Sequence, residues 1–235
     1  DRIAGEFAEL GVWRGGASVY AKAVIDVLLA EPRHVHLFDV FGKISEYTNG
    51  RGGGSDFLAV PVERVRHTFD KYGLLDERVH LHQGLFVDSL PPFRKTMLNA
   101  SHNFRIAVLR VDGNFIDSHV DALYYLWDFV PLGGYIIFDD GMKTFLRNAI
   151  LRFATAQGIS MRLTRIDNSG VFTRKRSSVV VDWSKFPRYK DVNKNSSLAR
   201  QQSRTSALEW TPAETVDAAS AVDPRENLPS PPLLS

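Results

Sequence analysis

Three carboxylates carry the most concentrated chemistry in this chain: Asp112, Asp139 and Asp140. Ile106–Val111 reads as a continuous apolar strand ending in Asp112-Gly113-Asn114, and Tyr135–Phe138 as a second one ending in Asp139-Asp140. Residues 117–130 between them have helical spacing, broken by Pro131-Leu132-Gly133-Gly134. Neighbouring strands of a parallel sheet open their C-terminal ends onto one crevice, so the spacing predicts that the three acids meet there. Like charges so close do not all ionise unaided, which calls for a cation. Hard oxygen donors, with no cysteine in the chain and no paired histidine beside these acids, point to Mg²⁺ or a similar ion rather than zinc. The structural alternative is helix capping, by Asp140 ahead of a helix that starts near Lys143.

A second candidate is Glu9-Leu10-Gly11-Val12-Trp13-Arg14-Gly15-Gly16. Residues 7–13 read as a short buried strand that Glu9 interrupts, Arg14-Gly15-Gly16 as a turn, and 17–30 as a helix. Glycines at such a turn admit a ligand where a Cβ would block it, and the helix N-terminus that follows suits an anionic group. The spacing of Gly11, Gly15 and Gly16 is not the dinucleotide fingerprint, and glycines also occur at such turns for steric reasons alone. Residues 34–41 read as the next strand, with Asp39 near its end. A carboxylate there accepts both hydrogen bonds of a ribose diol; alone it reads as a solvated strand-end acid. Strand, glycine turn, helix, strand and acid together form a βαβ nucleotide-binding pattern and predict a nucleoside-bearing cofactor.

The remaining elements position these two groups. Residues 44–56 form a polar, glycine-rich loop long enough to be functional. Pro61 opens a helix to about Tyr72, closed by Gly73. A third strand covers 79–86, and 88–92, with Pro91-Pro92, leads into an irregular stretch. Residues 143–157 form an amphipathic helix closed by Gly158. Segments 161–166 and 171–176 flank Asn168-Ser169-Gly170 as an antiparallel hairpin. The expected fold is therefore a mostly parallel α/β sheet finished by an antiparallel pair. From about Lys190 the composition turns to Ser, Ala, Pro, Asn and Gln. We read 1–190 as the domain and 191–235 as a disordered low-complexity tail.

The chain has 235 residues, 44% of them hydrophobic and 24% charged, the balance of an ordinary globular protein. A formal net charge of +2 gives no argument for a nucleic-acid partner. The absence of cysteine excludes disulfides, thiolate metal sites and a cysteine nucleophile. No apolar run predicts a membrane span, and a cytoplasmic location is the default expectation. The chain does not begin with Met, which leaves room for a preceding segment; a homo-oligomer is left open. His34, His36, His80, His82 and His102 read as structural. His119, near the start of the helix after Asp112-Gly113-Asn114, could face the crevice.

These residues resemble the macrocin O-methyltransferase (TylF/MycF-like) family of S-adenosylmethionine-dependent, Mg²⁺-dependent enzymes. The likeness is carried by Glu9 to Gly16, Phe38-Asp39-Val40-Phe41, Val60-Pro61-Val62-Glu63, Tyr72-Gly73-Leu74-Leu75-Asp76, the Gly84 to Pro91 segment, Leu109-Arg110-Val111-Asp112-Gly113, the Gly133 to Asp140 segment and Gly170-Val171-Phe172. It implies a Rossmann-like class I methyltransferase fold with a seven-stranded sheet and helices on both faces. It further implies that Glu9, Gly11, Gly15 and Gly16 border the methionine part of the cofactor and that Asp39 holds its ribose. Asp112, Asp139 and Asp140 would bind the metal, and the metal two vicinal hydroxyls of a small acceptor, typically a sugar. Asp112 is the first choice of base and His119 the second.

The chain departs from the family pattern on the acceptor side. Asn114 stands where an acid is expected, His119 where a small hydroxyl residue is, and Gly141 where an aromatic one is. The Gly50–Gly54 loop is also unlike the family's acceptor loop. Two rival readings stay open on the sequence: a nicotinamide-dependent oxidoreductase on a similar sheet, and a non-catalytic S-adenosylmethionine-binding protein.

Overall fold

The computed structural model describes residues 3–28, 31–43, 57–100 and 103–186. Those up to Lys185 belong to one compact unit; Phe186 alone falls in the second, Phe186–Ser235. The glycine-rich loop at 44–56, His102 and the expected tail at 191–235 lie outside the described residues.

The elements follow as β1 (Glu6–Leu10), α1 (Gly16–Leu28), β2 (Val35–Asp39), α2 (Val62–Lys71), β3 (Val79–Gln83), α3 (Phe86–Ala100), β4 (Ile106–Val111), α4 (Ile116–Leu126), β5 (Tyr135–Phe138), α5 (Thr144–Gln157), β6 (Thr164–Arg165) and β7 (Val171–Arg174). The strands form one seven-stranded sheet in the order β3-β2-β1-β4-β5-β7-β6. β1 to β5 pair in parallel, and β7 runs antiparallel to both β5 and β6. This is the class I methyltransferase arrangement that the family resemblance implies, and it ends in the antiparallel pair expected from the residues.

Alternation along β2 explains the two helix layers. Val35 and Leu37 join Phe7, Val12, Ile25, Val65 and Phe69 in one buried cluster, which packs α1 and α2 on one face. His36 and Phe38 turn the other way and meet Phe93 of α3 edge to face, at 5.2 and 5.0 Å between ring centroids. A period of two in side-chain direction thus puts helices on both sides of a strand buried on both faces.

Three local expectations are corrected. The first strand stops at Leu10 rather than at Trp13, because Gly11 takes φ +90° and turns the chain. The stretch at 88–92 is helical: α3 contains Pro91 and Pro92. Those prolines lie past the first turn of the helix and cost backbone bonds, but α3 also buries Leu90 and Phe93, each worth about 1.5–3 kcal/mol, which offsets that loss. The strand expected over 161–166 shrinks to Thr164–Arg165. No helix among the described residues is long and apolar enough to cross a membrane.

Candidate functional site

The parallel ladder runs one residue past the strands and aligns their ends. Gly11 N–H donates to the Phe38 carbonyl at 2.8 Å, Asp112 N–H to Leu10 at 2.7 Å, and Asp139 N–H to Val111 at 3.0 Å. Asp39, Gly11, Asp112 and Asp139 therefore lie in a row across the ends of β2, β1, β4 and β5. The sequence expectation that Asp112 and Asp139 share one edge holds, for the reason given: adjacent parallel strands.

On the cofactor side, Asp39 is tied into the turn after β1. Its Oδ2 accepts the Val12 and Trp13 N–H groups at 2.7 and 3.1 Å, and its Oδ1 accepts Phe41 N–H at 3.0 Å. A carboxylate offers about four lone-pair sites, so these bonds fix its position without exhausting it. The three glycines divide by cause. A Cβ on Gly11 would sit 2.3 Å from the Asp112 carbonyl oxygen, so β1 passes β4 too closely for any side chain. Gly15 has φ +81° and faces Val65 at 3.1 Å. Gly16 opens α1, and a Cβ there would meet nothing within 4 Å. Gly11 and Gly15 answer to the fold, and Gly16 leaves room beside a helix N-terminus. Trp13 is a rim residue, its ring 5.1 Å from Phe57.

Glu9 interrupts the apolar pattern of β1 because its carboxylate is built into the centre of the site. It is 1% exposed and accepts from the Ser18 hydroxyl of α1 and from Arg110. Burial pushes its pKa up to about 7, against the opposing pull of Arg110 and Ser18. Arg110 escaped the sequence reading, which took Ile106–Val111 as continuously apolar. Its guanidinium bridges three strands, reaching Glu9 Oε1 at 2.5 Å, Asp112 Oδ2 at 3.0 Å and Asp139 Oδ1 at 2.5 Å. The available signal was a lone charge two residues before a strand-end acid, hence on the same face.

Part of the cation demand of the acids is thus met by the protein. Burial raises the pKa of Asp112 to about 6; Arg110 draws it down, and Asp139 and Asp140 push it further up. Asp140 pairs with Lys143 at 2.6 Å and accepts the Ser169 hydroxyl at 3.1 Å. The donors are of the right type for a hard divalent ion, and Asp112 Oδ1 and Asp139 Oδ2 have no protein partner among the described residues. Yet no group of three or more His, Cys, Asp or Glu among the described residues is arranged to hold a metal ion. Asp140 is engaged by Lys143 and Ser169 rather than by the other two acids.

His119 does not open on the crevice. It is fully buried and stacked on Phe138, with Nδ1 3.1 Å from the Phe115 carbonyl and no partner for Nε2 among the described residues. A ring with no exposed surface cannot take a proton from a bound acceptor, so its expected role as base finds no support in this placement. At Gly141, a Cβ would lie 2.3 Å from Val171 Cγ2. Packing against β7 excludes the aromatic residue expected there.

Comparison with known proteins agrees with this geometry. The model of the macrocin-O-methyltransferase (TylF) family matches residues 1–175. The chain is 34% identical over 189 residues to 8-demethyl-8-(2,3-dimethoxy-alpha-L-rhamnosyl)-tetracenomycin-C 4'-O-methyltransferase of Streptomyces olivaceus, covering 74% of this chain and 67% of that one. It is 30% identical to mycinamicin III 3''-O-methyltransferase of Micromonospora griseorubida, covering 74% and 70%. The solved structure of the O-methyltransferase NovP superposes with a TM-score of 0.64 at 32% identity, over 74% of this chain and 73% of that one. Sheet order, strand-end acids and these matches concur: the chain belongs to the macrocin-O-methyltransferase (TylF) family of O-methyltransferases.

Proposed function

We propose that the crevice binds S-adenosylmethionine and directs its methyl group to a hydroxyl of a sugar carried on a small molecule, assisted by a divalent cation such as Mg²⁺. The observation that carries this reading is the row of strand ends, which sets Asp39 and the Gly11–Gly16 turn beside Asp112 and Asp139. S-adenosylmethionine supplies a methyl group on a sulfonium; on transfer the S–CH₃ bond breaks, an O–CH₃ bond forms, and the hydroxyl proton must leave.

Each part of the chain has a task in that reaction. Asp39, fixed by three backbone N–H groups, accepts from the ribose hydroxyls. Glu9 and the room at Gly16 border the methionine end. Asp112 receives the hydroxyl proton as base. Asp112, Asp139 and Asp140 would hold the cation, which would polarise and orient acceptor hydroxyls. Positioning of two reactants is worth about 7–11 kcal/mol, so a site that does little more than hold them supplies much of the acceleration. The names of the relatives above favour a sugar hydroxyl as acceptor.

Calorimetric titration of S-adenosylhomocysteine, with and without Mg²⁺, on the wild type and on Asp39→Ala tests the cofactor half. Micromolar binding that falls about 100-fold in a variant with an unchanged circular dichroism spectrum is the expected result, since two charge-assisted hydrogen bonds are lost. Absence of binding to the folded wild type, or binding of a nicotinamide dinucleotide in its place, would sink this reading.

A further inference from the structure

We propose that the outward face of α1 is an interface for a second copy of this chain, with the two α1 helices packed antiparallel about a two-fold axis. The inference does not rest on the methyltransferase reading.

α1 is apolar on both sides. Its inward side buries Ser18, Lys22 and Ile25. Lys22 and Asp26 are the only charged residues of the helix, and both are engaged within the protomer: Lys22 with Asp26 and Asp76, and Asp26 with Arg78 as well. The outward side carries Ala17, Tyr20, Val24, Val27 and Leu28, whose spacing gathers them into one stripe about 100° wide. Tyr20, Val27 and Leu28 are 73%, 80% and 72% exposed, so the stripe is left uncovered among the described residues. A surface helix ordinarily turns charged residues to water, and a helix that is apolar all round is a buried one.

Charge complementarity selects a second copy in one orientation. In an antiparallel helix pair related by a two-fold axis, facing positions are equidistant from a common centre. The stripe is centred between Lys22 and Ala23, so Ala17 faces the partner's Leu28 and Tyr20 lies beside the partner's Val24. Smaller side chains thus meet larger ones. The same centre brings Arg14 to the partner's Glu31, and the symmetry makes that pair twice. Both residues are exposed in the protomer. Arg14 lies over the rings of Trp13 and Phe57, at 4.6 and 5.4 Å from their centroids, and these exposed aromatics extend the apolar surface past the N-terminal end of α1. Opposed helix dipoles favour the same arrangement. A parallel pair would set Arg14 against Arg14 and Glu31 against Glu31, and like charges across an interface are costly. The stripe spans about 18 Å along the helix. That is small for an interface, so the dimer depends on chain concentration.

Sedimentation velocity on the full 235-residue chain, over a range of concentrations, tests this with the wild type, Val27→Asp, Glu31→Arg and the exchange variant Arg14→Glu/Glu31→Arg. Val27 is exposed in the protomer, and circular dichroism verifies that each variant folds. We expect a monomer–dimer equilibrium in the wild type. Its dissociation constant should rise about 100-fold or more in Val27→Asp, which buries an unpaired carboxylate at two symmetric places. It should rise about tenfold in Glu31→Arg and return towards the wild-type value in the exchange variant, where the paired charges trade places. A wild type that stays monomeric throughout leaves the face to another occupant and overturns the proposal. So does a dimer that survives Val27→Asp, or one that the charge exchange fails to restore.

Discussion

Acidification should weaken the β2–β3 edge of the sheet through a buried histidine, and His36→Phe should remove that weakness. His34 and His36 of the β2 region face His80 and His82 of β3, with Nδ1 to Nε2 distances of 2.7 Å (His34 to His80) and 3.2 Å (His36 to His82). His36 is 6% exposed and packs between the rings of Phe93 and Phe104. Burial, then the neighbouring imidazoles of His82, His80 and His34, push its pKa from 6.5 down to about 3. Its folded pKa therefore lies below its unfolded value. Its contribution to stability is complete above about pH 6.5 and is lost as the pH falls from there towards 3.

At pH 5 the ring is still neutral in the fold and almost fully charged in the unfolded chain. The loss follows from the 1.5 units between pH 5 and the unfolded pKa, at 1.36 kcal/mol each, and is about 2 kcal/mol. Other groups blur this in the wild type. His82 is held at about 4, chiefly by burial, and adds a loss of similar size in the same sense. Glu9 and Asp112 act oppositely, because raised carboxylate pKa values add stability as the pH falls. The difference between wild type and His36→Phe cancels these shared terms. Urea unfolding at pH 7.5 and at pH 5 measures it: the variant should lose about 2 kcal/mol less than the wild type, or about 4–8 °C less in Tm. Equal losses in the two proteins would refute the reasoning, because the ring would then be charged in the fold at no cost.

Two further predictions concern the site's scaffold. Gly11→Ala should destabilise by about 3 kcal/mol or more, since it adds a 2.3 Å contact to a left-handed backbone, whereas Gly16→Ala should melt like the wild type and lose affinity only for S-adenosylhomocysteine; equal melting of the two refutes the division of the glycines. Lys22 is fully buried and pairs with Asp26 and with Asp76 at 3.0 Å. Burial would raise the Asp76 pKa, but hydrogen bonds from Lys22 and Arg78 outweigh it and hold it at about 2. Lys22→Met should stay within about 1 kcal/mol of wild type, while Asp26→Asn, which leaves a buried ammonium short of a partner, should cost about 1–3 kcal/mol by urea unfolding.

The parts of this molecule that are legible in the sequence are those fixed by backbone period. Apolar runs of strand length, glycine turns and the acids that end them place β1, β2, β4 and β5 and the order of their edges. What stays hidden depends on side chains that meet across strands. Glu9 and Arg110 face each other only because β1 and β4 are neighbours in one register, and no local pattern in either segment states that. The His-x-His pairs at 34–36 and 80–82 are visible as text, but their contact needs the β2–β3 register. The helix through Pro91 and Pro92 was missed because local proline chemistry gives way to burial of Leu90 and Phe93 by tertiary packing.

The same distinction separates the two halves of the crevice. The half that would take the cofactor is made of main chain: N–H groups of Val12, Trp13 and Phe41 gripping Asp39, and a Gly11 that no side chain can replace. The acid side is made of side-chain ion pairs, Arg110 with Asp112 and Asp139 and Lys143 with Asp140. The departures at Asn114 and Gly141 follow the strand-end acids Asp112 and Asp140 in sequence, in the half that would meet the acceptor under the proposed function, whereas His119 is buried against Phe138 and does not open on the crevice.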